Sequence, residues 1–97
     1  MAYQTFRFTW NEIEIEARYA PEKWGVIAHL EIESIAPPRA PLPITETGYR
    51  SHHCPIGSIE EEFGDDIVAA VKHWLDKEAQ TKRWKDSEEA ARQYALF

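Results

Sequence analysis

The sequence predicts an α+β fold: an antiparallel β-meander of three to four strands, packed on one face by a C-terminal helix and followed by a short terminal helix. Two patterns predict it. Polar and apolar residues alternate through the first third of the chain, and apolar residues recur at the helical period near its end. A length of 97 residues allows one small hydrophobic core. We therefore expect a single domain with a meander over 1–35, a Pro-rich connector and loop or edge strand over 36–57, and a helical part over 58–97.

The first hairpin is predicted down to its register. In residues 6–10 and 13–19 every second side chain is apolar, which is typical of half-buried strands. A two-residue turn at Asn11-Glu12 pairs Trp10 with Ile13, and each following pair on that face is then apolar. Because Asn-Gly is the favoured pair for such a turn, a longer loop stays open as an alternative.

A third strand is predicted from Val26 to Ile32, because apolar residues alternate again after Pro21 and Gly25. Pairing Tyr19 with Val26 makes every pair on the apolar face apolar. Three strands are marginal by themselves, so this face needs a covering element.

The opposite face of the predicted sheet is acidic and carries Glu14, Glu16, Glu31 and Glu33. The predicted register places Glu14 beside Glu31 and Glu12 beside Glu33, where like charges repel. One interpretation is a solvated face with tolerable repulsion, which is the usual meaning of a charged face. The alternative is a face that meets a basic partner.

The C-terminal part is predicted to begin with a short helix and then a longer one. The motif Ser58-Ile59-Glu60-Glu61 has the form of a capping box, and Gly64 can end that single turn. Either Asp65 or Asp66 can then cap the longer helix.

The longer helix is predicted over Asp66–Glu78 and has one apolar stripe. The stripe consists of Ile67, Val68, Val71, Trp74 and Leu75. We expect it to cover the apolar face of the meander, with Trp74 against Phe8 or Ile15. Asp86 and Glu89 form a second capping box that opens the short terminal helix, and the apolar end of the chain, Leu96-Phe97, is expected to dock against the domain.

The composition excludes several classes of protein. The 11 Lys and Arg against 17 Asp and Glu give a net charge of −6, which argues against a sequence-independent grip on nucleic acid. The single cysteine, Cys54, excludes an intrachain disulfide framework. No apolar stretch approaches the ~20 residues of a membrane-spanning helix, and the start of the sequence lacks the pattern of a secretory signal. We therefore expect a cytoplasmic protein with no direct nucleic-acid or membrane partner.

The residues that could bind a metal ion or act in catalysis do not have the spacing that such sites need. His52-His53-Cys54 is a cluster of metal-ligand types, but neighbours in an extended chain point in opposite directions. Cys54, or Ser51 beside His52, with Glu46 as orienter, could supply a nucleophile, yet such residues occur together by chance in most chains. We therefore predict no metal, no cofactor and no catalytic residue.

The segment from Pro43 to His52 is dense in hydrogen-bonding side chains and includes Tyr49 and Arg50, residue types that anchor interfaces. Loops held by a rigid sheet are where function concentrates. The alternative is an edge strand preceded by a turn. Four prolines in residues 37–43 are expected to hold the connector extended and to present Arg39 outward.

The stretch Arg39–His52 reads RAPLPITETGYRSH, and it is followed by Trp74-Leu75-Asp76 and by the terminal Leu96-Phe97. In these residues the chain resembles small proteins of proteobacterial plasmids and integrative mobile elements. The family supplies no activity. The resemblance implies a mobile-element setting, in which small acidic proteins often act on host DNA handling or on defence systems.

We predict a small, acidic, non-enzymatic binding protein of a mobile element that inhibits or modulates a host nucleic-acid-processing or CRISPR-type defence protein. The predicted partner-binding residues are Arg39, Glu46, Tyr49, Arg50, His52, Glu14, Glu16, Glu31 and Glu33. The host partner would offer a basic nucleic-acid-binding surface, because opposite charge accelerates association; a homo-oligomer also fits the sequence. The alternative is a small enzyme or ligand-binding domain with a site around Tyr49, Arg50, His52 and His53.

Overall fold

The computed structural model describes residues 3–95 as an antiparallel sheet of four strands followed by three helices. The elements are β1 (Gln4–Trp10), β2 (Ile13–Lys23), β3 (Ile27–Ala36), β4 (Tyr49–Cys54), α1 (Ser58–Phe63), α2 (Ile67–Glu78) and α3 (Lys82–Ala95). The sheet order is β1-β2-β3-β4, so each strand pairs with its neighbours in sequence. The predicted α+β class is confirmed, and the segment that the sequence left between a loop and an edge strand forms β4 at the edge of the sheet.

The β1–β2 hairpin has the predicted register, with Trp10 opposite Ile13 and the predicted pairs beyond. Asn11 and Glu12 form the two-residue turn, with φ of 49° and 66°. Positive φ at both central residues lets a two-residue turn follow the right-handed twist of its strands. Asparagine adopts this conformation at little cost, whereas the glutamate carries some backbone strain.

The predicted register between β2 and β3 is wrong. Tyr19 lies opposite Leu30 rather than Val26. The reason is that β2 continues to Lys23, so the connection narrows to a tight turn around Gly25, whose φ is 71°. Tyr19, Leu30 and Ile32 nevertheless keep the predicted face, because the shift preserves the alternation of the strand. The prediction for Val26 is wrong, because it precedes β3 and is 74% exposed.

Pro21 lies inside β2 without interrupting it. On the β3 side of this residue the β2–β3 register is irregular, between Ala20 and Lys23. Proline lacks a backbone N–H and is tolerated at such irregular positions. Reading Pro21 as the start of the loop therefore made the predicted connection too long.

The observed register relieves the predicted repulsion between glutamates. Arg18 lies opposite Glu31, and Glu14 lies beyond a bulge. The two predicted glutamate pairs are therefore wrong. Glu16 does lie opposite Glu33, but Arg18 forms an ion pair with each of them.

The capping box predicted at Ser58 is wrong. Gly57 is the N-cap of α1, with φ of 85°, and the Ser58 hydroxyl donates to the Pro55 carbonyl oxygen at 2.8 Å instead. Gly64 ends α1 as predicted, with φ of 61° and its N–H donated to the carbonyl of Glu60.

The helix α2 covers the apolar face of the sheet, as predicted. Asp66 caps it, because its carboxylate accepts a hydrogen bond of 2.9 Å from the Ala69 N–H. The core joins Ile67, Val71 and Leu75 of α2 to Ile15, Ala17, Tyr19, Ala28, Leu30 and Ile32 of the strands. Burial of one such aliphatic side chain stabilises the fold by about 1.5–3 kcal/mol. Trp74 is half-buried and packs against this core, which includes Ile15, one of its two predicted neighbours. Its aromatic contact is with His52 of β4, at 5.0 Å between ring centroids.

The helix α3 is longer than the predicted short terminal helix. It begins at Lys82 rather than near Asp86, because Thr81 caps it: Thr81 Oγ1 lies 3.3 Å from the Trp84 N–H. The predicted docking of Leu96-Phe97 concerns residues outside the described part of the chain. Within residues 3–95, no helix has the length and apolar character needed to cross a membrane.

The Pro-rich connector folds into turns rather than running extended. Leu42 and Thr45 pair across a tight turn, with backbone hydrogen bonds of 2.8 and 3.0 Å. Leu42 and Ile44 join the core, so apolar burial outweighs the extended preference of the prolines. Gly48, with φ of 79°, passes so close to Arg39 that a Cβ would lie 2.6 Å from the arginine backbone, and only glycine fits there.

Candidate functional site

Because successive side chains of a strand point to opposite faces, the sheet has one face covered by α2 and one face directed away from it. We call the second the outer face. It carries Tyr3, Thr5 and Arg7 on the β1 side, Glu14, Glu16 and Arg18 in β2, His29, Glu31 and Glu33 in β3, and Tyr49, Ser51 and His53 in β4. These side chains are all polar, and their contacts form two clusters.

Arg18 is the centre of the first cluster. Its guanidinium donates hydrogen bonds to Glu16 and, at 3.2 Å, to Glu33, and it lies 3.8 Å from Glu31. Only 25% of its side chain is exposed, so solvent and salt screen these ion pairs less than they screen fully exposed ones. One guanidinium thus offsets the mutual repulsion of three carboxylates.

Two further side chains extend this cluster across the sheet. Arg7 of β1 lies 3.2 Å from Glu16 and 3.5 Å from Glu14. At the other edge, the Tyr49 hydroxyl donates a hydrogen bond to Glu31. That hydrogen bond is the main cause that lowers the pKa of Glu31. A continuous chain of contacts therefore runs from β1 to β4.

His29 is the centre of the second cluster and is only 5% exposed. Its Nδ1 lies 2.7 Å from the Tyr3 hydroxyl, and its Nε2 lies 2.7 Å from Ser51 Oγ. The ring of His53 stacks on it, with centroids 4.3 Å apart. Burial lowers the pKa of His29, and the nearby ammonium of Lys23 lowers it further. The surroundings therefore favour a neutral imidazole with both nitrogens hydrogen-bonded.

The contact between Ser51 and His29 has the spacing of a nucleophile and its general base, but the neighbours of the imidazole favour the opposite arrangement of protons. The Lys23 ammonium lies 3.5 Å from Nδ1 and can only donate, so Nδ1 is favoured as the acceptor. The ring proton then sits on Nε2 and is donated to Ser51. In that tautomer His29 cannot accept the serine proton, and we interpret the contact as structural.

The structure brings part of the predicted partner-binding set together. The predicted residues that share the outer face are Glu14, Glu16, Glu31, Glu33 and Tyr49. All of them belong to the first cluster. The alternation of four paired strands is what places them side by side.

Arg50 and His52 lie on the opposite face, beside Trp74. The Arg50 guanidinium carbon is 5.7 Å from the Trp74 ring, and the His52 ring is 5.0 Å from it. Burial lowers the pKa of His52, and the charge of Arg50 contributes. The site that the sequence suggested around Tyr49, Arg50, His52 and His53 is thus divided between two faces.

The remaining predicted residues lie apart from both clusters. Glu46 forms an exposed ion pair with Arg83 of α3 at 3.6 Å, and Arg39 is exposed in the loop before β4. Cys54 is buried on the covered face. Within residues 3–95, no three His, Cys, Asp or Glu side chains are grouped so that they could hold a metal ion.

Six residues of the outer face belong to neither of the predicted sites: Tyr3, Thr5, Arg7, Arg18, His29 and Ser51. The two arginines share the alternation of the glutamates, so the strand period contained the signal that places them on that face. The partners of His29 come from three strands and depend on registers that no local pattern fixes.

A family model described as the KlcB third domain matches residues 3–84, which include the whole sheet, α1 and α2. The chain belongs to the KlcB third-domain family. KlcB is a plasmid-associated protein, which is consistent with the plasmid setting that the resemblance implies. The match also covers the meander, which the resemblance did not. No curated protein and no solved structure matches the chain.

Proposed function

We propose that this KlcB-type domain is a non-enzymatic binding domain of a plasmid-associated protein that inhibits or modulates a host nucleic-acid-processing or defence protein, CRISPR-type effectors included. The outer face is its binding surface. The observation that carries the proposal is the continuous set of ion pairs and hydrogen bonds that orders charged and aromatic side chains across four strands. The plasmid association of the family supports a target in the host.

The side chains of the outer face are already held in fixed positions before any partner binds, which favours a role in binding. A side chain that is already fixed loses less conformational freedom on binding, and each newly immobilised side chain costs about 0.5–1.5 kcal/mol. Arg18 and Tyr49 are held by Glu31 and its neighbours, yet Tyr49 is still 38% exposed. Tyrosine and arginine are also the residue types that most often anchor interfaces.

The net charge of the outer face indicates which kind of partner surface would fit it. Arg7 and Arg18 offset half of the negative charge of the four glutamates in the first cluster. The remaining acidity suits a partner surface with an excess of Lys and Arg, such as a nucleic-acid-binding channel. Opposite charge would accelerate association, and the complex would weaken as salt rises.

The neighbouring residues Tyr49 and Arg50 provide a matched test, because they lie on opposite faces of β4. The immobilised domain is used to capture proteins from the plasmid host, mass spectrometry identifies them, and the affinity of the purified partner is measured for each variant. Tyr49→Ala is expected to weaken binding roughly tenfold, whereas Arg50→Ala should change it by less than about twofold.

Circular dichroism confirms beforehand that both variants are folded. A greater loss for Arg50→Ala than for Tyr49→Ala would contradict the outer face as the binding surface. Capture of partners that neither process nucleic acid nor act in defence would contradict the proposed class of target.

A further inference from the structure

A cavity of about 450 Å³ lies away from the outer face, where β1 and β2 meet α1 and the start of α2. Its volume falls within the range of roughly 300–1,000 Å³ that small-ligand sites occupy. The apolar part of its lining is Phe6, Tyr19, Pro21 and Ile67, and the polar part is Gln4, Glu60 and Asp65.

The electrostatics of the cavity point to a cation. Among the described residues that line it, two are carboxylates and none is Lys, Arg or His. Two aromatic residues, Phe6 and Tyr19, also line the cavity, and the faces of aromatic rings attract cations. A group that enters this cavity therefore meets negative charge with no competing positive side chain in the lining.

One of the two carboxylates is held in a fixed position. The Tyr19 hydroxyl donates to Glu60, with distances of 2.8 and 3.0 Å to the two carboxylate oxygens. Tyr19 is only 2% exposed. Burial raises the pKa of Tyr19, and the hydrogen bond to Glu60 raises it further, so the phenol stays protonated. Because the phenol has one hydrogen to give, the Glu60 carboxylate keeps lone pairs for a ligand.

We propose that this cavity binds an alkyl cation, an ammonium or guanidinium group on an aliphatic stem. The head would form charge-assisted hydrogen bonds with Glu60 and Asp65, and the stem would pack against Phe6 and Ile67. A lysine or arginine side chain has this chemistry, and so does a free polyamine. The inference does not depend on the proposed function, because the cavity lies outside the outer face.

Another groove is larger but carries no comparable signal. It lies beside Trp10 and Trp84, with a volume of about 570 Å³, and its lining mixes Lys72 and Lys85 with Asp76 and Glu88. The Trp10 indole N–H is already donated to Asp76 at 2.8 Å. Its charges offset one another, so its lining indicates no class of ligand.

The test is a titration of the whole chain, followed by two-dimensional amide NMR, with three probes. The first is a capped lysine amide, the second its uncharged norleucine counterpart, and the third putrescine. We expect saturable shifts at Phe6, Tyr19 and Glu60 with the lysine amide, and binding of the norleucine amide weaker by about tenfold or more. Saturation by putrescine alone also supports the site and identifies a free polyamine as its ligand.

Two variants on α1 distinguish binding in the cavity from non-specific attraction of a cation to an acidic protein. Glu60→Gln keeps an acceptor for Tyr19 but removes the charge, and it is expected to weaken cation binding by about tenfold. Glu62→Gln removes the same charge from an exposed position of α1 outside the cavity and should leave the affinity unchanged. If Glu60→Gln loses its native spectrum, Asp65→Asn serves in its place.

Three results would overturn the inference: no saturation by any charged probe, equal affinity for the lysine and norleucine amides, or equal losses for the Glu60 and Glu62 variants.

Discussion

The two faces of the sheet are stabilised by different interactions. The covered face buries aliphatic side chains of α2 and the strands, whereas the outer face buries His29 almost completely between directional hydrogen bonds. Every buried side-chain nitrogen and oxygen in the described part of the chain has a hydrogen-bond partner, which is what allows polar groups to be buried. The aliphatic contacts of the covered face involve no titratable group, so their contribution to stability changes little with pH. The contribution of the outer face depends on salt and pH, because charged and titratable groups make it.

The largest expected effect comes from the covered face. Leu75 of α2 is fully buried, and Leu75→Ala should lower the free energy of unfolding by about 2–5 kcal/mol, because it removes apolar contacts and leaves a cavity. Urea unfolding followed by circular dichroism measures the change. Lys77→Ala, at an exposed position of the same helix, should stay within about 0.5 kcal/mol. A loss below about 1 kcal/mol for Leu75→Ala would show that α2 contributes little to the core.

A smaller loss is expected at the centre of the outer face. Arg18→Met removes the cation but keeps an apolar stem, and it leaves Glu16, Glu31 and Glu33 repelling one another. Unfolding free energy should fall by about 1–3 kcal/mol at low salt, and less when salt is added. Adding Glu33→Gln to this variant should recover part of the loss. A loss that is independent of salt would mean that Arg18 acts through packing alone.

The same residues show how much of the fold the sequence could predict. Alternation and a short turn determine the β1–β2 register, because any other turn length would separate Trp10 from Ile13. They do not determine the β2–β3 register, because the observed shift preserves the alternation and keeps the paired residues Tyr19, Leu30 and Ile32 on their predicted face. Charge complementarity would have distinguished the registers that share this alternation, since only the observed one places Arg18 opposite Glu31.

The site was less predictable than the fold for a related reason. Tyr49 and Arg50 are sequence neighbours, and they point to opposite faces only because residues 49–54 form a strand. The sequence left that segment between a loop and a strand, so the two residues were expected to act together. His29 acquires its role from Tyr3 and Ser51, which are distant in sequence.

A third effect, smaller again, is a dependence of stability on pH. The pKa of His29 is lowered from 6.5 in the folded state, so the unfolded chain binds a proton first as the pH falls. Stability should therefore be unaffected by His29 above that value and should decline below it, until the folded state is protonated as well. His29→Gln should reduce the change in unfolding free energy between about pH 7.5 and about pH 5.5, and His52, whose pKa is lowered as well, accounts for part of the change that remains.

His73→Gln is the control for this measurement, because His73 is exposed on α2. Titration of Glu31 does not contribute to the change in stability measured in this pH range. Its pKa is lowered from 4.5, so the stability that it contributes is lost only at more acidic pH. Identical pH profiles for the wild-type chain and His29→Gln would contradict the role given to the buried imidazole.

The smallest effect is expected at an exposed ion pair, Lys82 with Asp86 in α3. Their side chains are 89% and 61% exposed at a distance of 2.8 Å, so solvent screens the attraction, and pairs of this kind contribute about 0.2–0.5 kcal/mol. Two features reduce it further: the lysine precedes the acid, which is the weaker order, and it lies in the first turn, where the helix dipole disfavours a cation. A double-mutant cycle with Lys82→Ala and Asp86→Ala isolates the coupling. A coupling as large as the loss for Arg18→Met would mean that partial burial is not what strengthens the ion pairs of the outer face.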